Sequence, residues 1–180
     1  MPSSTTSCRA GVRPLLRLRP EPLRRLRFVA DAHLGGLARR LRMLGFDTRW
    51  HNDLGDAALA ELAVREHRIL LSRDRGLLMR QIVTHGCYLR QTGTETQLRE
   101  LIERLQLCAE IAPFTRCLEC NALLAGIDVA EAEREIPEGV RQCASAYWRC
   151  SGCQRIYWKG SHWEAMRRRI ARMCPDWVTD

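Results

Sequence analysis

RILLSRDRGLL, residues 68–78, is the stretch that decides the fold. Its apolar run shows no alternation with polar residues, the pattern of a strand covered on both faces. Such strands belong to parallel sheets wrapped by helices. The run ends at Arg73-Asp74, and Arg75 to Val83 carries a helical pattern.

The neighbouring segments extend this reading in both directions. Upstream, DAALAELAVREH (56–67) predicts a helix, with Asp56 as N-cap and Ala58, Leu59, Leu62 and Ala63 along one side. FDTRW (46–50) predicts a strand. GGLARRLRMLG (35–45) places apolar residues at 37, 41 and 44, one helix face, with Gly45 as its stop. LRFVA (26–30) is a first strand that ends at Asp31. Downstream, CYLR (87–90) is a fourth strand, and TETQLRELIERLQL (94–107) a helix opened by a Thr94/Gln97 capping box. Strand and helix alternate with short connections, which predicts an α/β unit built on a small parallel sheet. Pro113 marks the joint to the carboxy-terminal third.

Past that joint stand two matched doublets, Cys117-x-x-Cys120 and Cys150-x-x-Cys153, each preceded by an arginine (Arg116, Arg149). Four thiolates are the set that tetrahedral Zn²⁺ requires, so these residues predict a closed structural zinc site. The metal stands in for a core that so short a segment cannot build. Arg116, Arg149 and Arg155 lie beside the ligands and are expected to offset the thiolate charge. Cys143 lacks a doublet partner and is set aside as a ligand, while Cys8, Cys87, Cys108 and Cys174 read as plain thiols. With nine cysteines, no secretory signal core and no apolar run long enough to span a bilayer, the chain reads as cytoplasmic and without a membrane partner.

The division that results is a flexible basic arm at 1–25, an α/β unit at 26–112, and a cysteine ribbon with a terminal helix at 113–180. Of the net charge of +8, residues 1–30 carry +6, so the folded part is nearly neutral. The arm is rich in arginine and proline and is placed to touch RNA. Lys159 is the only lysine, but arginine preference by itself says little about nucleic acid.

Four aspartates follow strand ends or open the next helix: Asp31, Asp53, Asp56 and Asp74. In a parallel sheet the residues beyond the strand ends meet at one crevice. Carboxylates gathered there repel one another unless a divalent cation neutralises them, and hard oxygen ligands suit Mg²⁺ or Mn²⁺. The plainer reading of such an aspartate is a turn or a helix cap. Asp47, inside the second strand, reads as a surface residue. Arg39, Arg42, Arg73 and Arg75 surround these positions as phosphate contacts. After the second doublet, IYWKGSHWEAM (156–166) interleaves rings with cations. Lys159 and His162 are read as RNA contacts, and Tyr157 and Trp158 as part of the ribbon's own small core.

FVADAHLGGLARRLRMLGFDT (28–48), NDLGDAALAELA (52–63), ILLSRDRGLL (69–78), RCLECN (116–121) and CSGCQRIYWKGSHWEAM (150–166) together resemble the Mut-seven C-terminal RNase family. That family joins a PIN-like nuclease domain to a zinc ribbon, and the resemblance covers about 26–172. It implies a metal-dependent ribonuclease. Asp31 and Asp74 match its first and its Thr-Arg-Asp aspartates, with Ser72 replacing the threonine. Asp53 and Asp56 match its intermediate acids, and the four doublet cysteines its zinc ligands. The α/β unit is short for a PIN fold, and no acid lies between Asp74 and Glu95.

Two functions are expected from this reading. One is a Mg²⁺- or Mn²⁺-dependent ribonuclease acting on single-stranded RNA. In it Asp31 and Asp74 hold the ion, Asp53 or Asp56 completes the cage, and the ribbon aids binding. The other is an RNA- or ribosome-associated binding protein, a partner of RNA-processing factors, with a weak or inactive site. A phosphatase-like domain is disfavoured because Asp31-Ala32-His33 lacks the Asp-x-Asp pair. Oligomeric state is not legible.

Overall fold

The computed structural model describes residues 26–132, 134–141, 144 and 146–177. The basic arm at 1–25 and Cys143 lie outside these residues. Strands β1 (Arg27–Ala30), β2 (Asp47–Trp50), β3 (Ile69–Ser72) and β4 (Gly86–Tyr88) form a parallel sheet in the order β2-β1-β3-β4. Helices α1 (Gly35–Met43), α2 (Asp56–Arg65), α3 (Arg75–Leu78) and α4 (Thr94–Leu105) connect and cover it.

Residue periodicity explains the layering. Phe28, Ala30, Ile69 and Leu71 point to a core that includes Leu37, Leu41 and Leu44 of α1 and Leu98, Leu101 and Ile102 of α4. Val29 and Leu70 point the other way, against Leu59, Ala60, Leu62 and Ala63 of α2. The chain leaves β1 toward β2 and leaves β3 toward β4. The order therefore reverses between β1 and β3, which makes their ends the switch point of the sheet.

Several local expectations change. Ala58 is exposed and Ala60 takes its place in the core. Asp56 is the first helical residue, not the cap; Gly55 occupies the N-cap position. The Thr94/Gln97 capping box does not form. Gly93 precedes α4, and the buried Gln97 instead donates to the carbonyls of Gln91 (3.0 Å) and Thr92 (3.3 Å). Helix α3 stops at Leu78, short of the expected Val83; Met79 and Ile82 stand exposed, and Val83 packs against the α2 core from outside the helix.

In the second part, β5 (Leu124–Ile127), β6 (Tyr147–Cys150) and β7 (Ile156–Trp158) make an antiparallel sheet, with short helices α5 (Val129–Ala132) and α6 (Glu138–Arg141) between the first two. Helix α7 (Ser161–Met173) then returns to the parallel sheet, where Met166, Ile170 and Cys174 join the α1/α4 core. A disulfide links Cys108, after α4, to Cys174. The plain thiols expected at 108 and 174 are thus a bonded pair, which removes part of the cysteine argument for a reducing compartment. Among the described residues no helix is long and apolar enough to cross a membrane.

Asp47 is not a surface residue. Its carboxylate accepts from Arg68 Nη1 (2.7 Å) and Asn121 Nδ2 (2.7 Å), and Arg116 Nη2 lies at 3.6 Å. Burial pushes this carboxyl up, but the hydrogen bonds of Arg68 and Asn121 and the charges of Arg68 and Arg116 outweigh it and hold it below the ordinary range. Asn121 Oδ1 also accepts the Thr48 N–H at 3.0 Å. The free edge of β2 is thereby capped by the ribbon, which blocks further strand pairing there.

Candidate functional site

The ends of β1 and β3 are tied together. Asp31 N–H donates to the Leu71 carbonyl at 3.0 Å. The buried Ser72 hydroxyl donates to Asp31 Oδ2 at 2.7 Å and accepts the Asp74 N–H at 2.8 Å. Asp74 Oδ1 accepts the N–H groups of Gly76 (2.6 Å) and Leu77 (3.4 Å), capping α3. Asp74 is therefore the helix cap that the plain reading of its position suggests, and it also stands at the switch point. Asp31 Oδ1 and Asp74 Oδ2 have no protein partner among the described residues.

The other two aspartates stand apart from this pair. Asp56 faces Arg80 Nη2 at 3.8 Å, and Asp53 is exposed. Among the described residues the four cysteines are the only group of three or more His, Cys, Asp or Glu drawn together closely enough to hold one ion. Sequence spacing therefore located the strand ends but not a closed acidic cage. Ser72 is the residue that position alone missed. Its signal was a single hydroxyl closing an otherwise apolar strand.

The arginines divide. Arg73 is exposed with no protein partner among the described residues. The Arg75 guanidinium lies over the Tyr88 ring, 5.0 Å from its centroid, at the end of β4. Arg39 pairs with Glu119 at 2.5 Å. Arg42, expected to share a phosphate-binding face with Arg39, is buried and donates to backbone carbonyls of Thr48, Leu118 and Glu119, so it is not available to RNA.

The four doublet cysteines converge. Their sulfurs all lie within 4.8 Å of one another, with Cys117–Cys153 at 3.6 Å and Cys120–Cys150 at 3.3 Å. A tetrahedral Zn–S₄ site has sulfur–sulfur edges of roughly 3.8 Å at ordinary bond lengths. The donor set and the spacing can therefore hold a metal such as zinc. Each doublet is closed by the same turn: Asn121 and Gln154 follow the second cysteines with φ of 66° and 61°. Backbone N–H groups point at the sulfurs, Cys120 N at Cys117 Sγ (3.5 Å), and Gly152 N (3.3 Å) and Cys153 N (3.4 Å) at Cys150 Sγ. A Cβ on Gly152 would lie 3.0 Å from that of Ala122 and 3.3 Å from Cys120 Sγ, so the turn is built for glycine. Burial pushes the Cys117 thiol up, but the Cys120 N–H, the Tyr157 hydroxyl and the Glu119 N–H outweigh it and bring it to about 6.

Tyr157, assigned to the ribbon core, bonds Cys117 Sγ and the Leu118 N–H, both at 3.1 Å. Trp158 is 37% exposed and lines a cavity of about 160 Å³ with Met43, Phe114, Trp163 and Met166. The Lys159 ammonium sits over the rings of Trp148 (5.6 Å) and Trp163 (5.1 Å). Its charge is engaged within the ribbon–α7 seam. The His162 side chain is outside the described set.

Fold and site define a parallel α/β unit with acids at its switch point, joined to a four-cysteine ribbon. The chain matches the Mut7-C RNAse domain over residues 26–170 and belongs to that family. Family membership gives it a ribonuclease-type function with RNA as the substrate class. No curated protein and no solved structure matches the chain.

Proposed function

We propose that the protein is a divalent-metal-dependent ribonuclease acting on single-stranded RNA, with its reaction centre at Asp31 and Asp74. The observation that carries this is the Ser72 hydroxyl shared between the two acidic segments at the switch point. It leaves one oxygen of each carboxylate open. Hard, unpaired oxygens held by a buried strand end suit Mg²⁺ or Mn²⁺. A bound ion of this kind supplies water activation and stabilises the departing oxygen. Asp31 and Asp74 would hold it, with Asp53 or Asp56 joining on substrate binding. Ser72 keeps the two carboxylates in register. Arg73, free on the rim, and Arg75 beside it would receive backbone phosphates. In this reading 26–112 is the reacting unit, 113–180 a zinc-stapled ribbon that aids RNA binding, and the arm at 1–25 an accessory contact.

Engagement of Asp74 Oδ1 as a helix cap, and the lack of a third gathered carboxylate among the described residues, favour a second reading: an RNA-binding protein with a silent site. One experiment separates them. Purified protein with Mn²⁺ should cut a labelled single strand. Asp31→Asn should slow cutting by about 10³-fold or more, since metal stabilisation contributes several kcal/mol, while RNA binding persists. If wild type binds RNA but does not cut it with any divalent ion, the second reading stands and the first is lost.

A further inference from the structure

Arg42 is a cation buried beside the first cysteine doublet. It lies on α1 with only 6% of its surface exposed. A guanidinium removed from water needs compensation, and the usual partner is a carboxylate. Among the described residues none lies within salt-bridge distance of it. Its three donations go to carbonyls: Nε to Thr48 at 2.9 Å, and Nη1 to Leu118 at 3.0 Å and Glu119 at 2.7 Å. Leu118 and Glu119 are the two residues between Cys117 and Cys120.

The direction of those peptide groups matters. The Glu119 carbonyl that accepts from Arg42 belongs to the same peptide unit as the Cys120 N–H, which points at Cys117 Sγ. The Leu118 carbonyl likewise shares its peptide with the Glu119 N–H. A cation on the oxygen end polarises the amide and strengthens the hydrogen bond at its other end. The positive charge of Arg42 is thus relayed through two peptide units toward the sulfurs. The cations flanking the doublets in sequence all meet carboxylates, and among them Arg116 also donates to a carbonyl of the first doublet turn, that of Asn121 at 3.2 Å. Arg116 lies 3.6 Å from Asp47, Arg149 2.9 Å from Glu135, and Arg155 3.4 Å from Glu119.

We propose that Arg42 is the positioning residue and counter-charge of the four-cysteine metal site, so that metal binding by the ribbon and its docking on the parallel sheet are one coupled event. A Zn²⁺ ion with four thiolates leaves a net negative cluster, which the buried guanidinium would neutralise from the sheet side. The same guanidinium holds the Thr48 carbonyl, and Asn121, just past the first doublet, receives the Thr48 N–H at 3.0 Å. Coupling of this kind is reciprocal: whatever Arg42 adds to metal affinity, metal adds to the docked state. The inference rests on the reading of the cysteines as a metal site.

The test uses the full chain, with Zn²⁺ and Co²⁺ as probes and a chelator as competitor. Wild type should bind one ion per chain and show the thiolate-to-Co²⁺ absorption of a four-sulfur site; failure here would remove the metal reading itself. Arg42→Met should lower the affinity about 10–100-fold, the usual loss for a group supporting metal ligands. Arg42→Lys, which keeps the charge without the fork, should recover part of it, and Arg155→Met should stay near wild type. Equal affinity in R42M and wild type would overturn the proposal. So would R42K no better than R42M, or R155M as weak as R42M. Should R42M not fold, hydrogen exchange of wild type decides. Metal removal should speed exchange of the Thr48 amide but not of the Leu89 amide, which bonds Ser72 within the parallel sheet. An unchanged Thr48 rate would equally overturn the coupling.

Discussion

The Ser72 hydroxyl donates to Asp31 Oδ2 at 2.7 Å, joining the ends of β1 and β3 through one buried oxygen. That oxygen also receives the Asp74 N–H, so its loss would strand an acceptor and a donor together. Ser72→Ala should cost about 1–3 kcal/mol for each group left unpaired. It should also slow RNA cleavage, because the two carboxylates lose their common reference. Ser72→Thr keeps the hydroxyl and should stay near wild type. Melting curves and cleavage rates on the two variants check this, and equal rates for S72A and S72T would count against it.

Asp74 combines two roles that substitution can separate. Asparagine caps helices about as well as aspartate, whereas alanine costs about 0.5–2 kcal/mol. Asp74→Asn should keep the stability of wild type and lose cleavage. Asp74→Ala should lose both. Cleavage surviving in D74N would leave Asp74 a cap and nothing more.

Asp47 makes the fold acid-sensitive. Its folded carboxyl titrates below the unfolded value of about 3.9, so its stabilisation is complete above that value and is lost as pH falls through the lower, folded one. Glu66, bonded to Arg68 at 2.6 Å, is shifted in the same direction. Asp47→Ala should cost about 1–3 kcal/mol near neutral pH, because it takes one carboxylate from the buried Arg68, which keeps Glu66, and leaves the Asn121 amide without its acceptor. Asp47→Asn should flatten the loss of stability below about pH 4, measured by denaturant unfolding across the acid range.

Chelation and reduction should act on different parts. Removing metal should release β5–β7, whose own core is small. Helix α7 should stay, since Met166 and Ile170 belong to the parallel-sheet core and Cys174 is bonded to Cys108. Cys108→Ser should cost about 4 kcal/mol on the chain-entropy account of a loop closing 66 residues. Hydrogen exchange with chelator, reductant or both resolves the two effects. Release of α7 by chelator alone would contradict this assignment.

Local pattern carried much of the architecture. The continuous apolar run at 69–71 announced a strand covered on both faces, the run at 28–30 announced the first strand, and the 37/41/44 period announced the face of α1 that is buried. Two CxxC doublets announced the sulfur cluster, because a chelating turn is written in four consecutive residues. Caps were less legible. Gly55 and Gly93 occupy the N-cap positions of α2 and α4, one residue before the Asp56 and Thr94 that local pattern put there.

Composition and spacing could therefore settle whatever depends on neighbours in the chain: helix faces, strand burial, the metal-ligand turns and the strand-end aspartates. Pairings across long separations needed the folded chain. Arg42 reaches residues 118 and 119, Asp47 meets Asn121, and Cys108 meets Cys174. None of these has a local signature. A buried charge or thiol chooses its partner by what packing brings within about 3–4 Å, and that distance exists only once helix, sheet and ribbon have closed on one another.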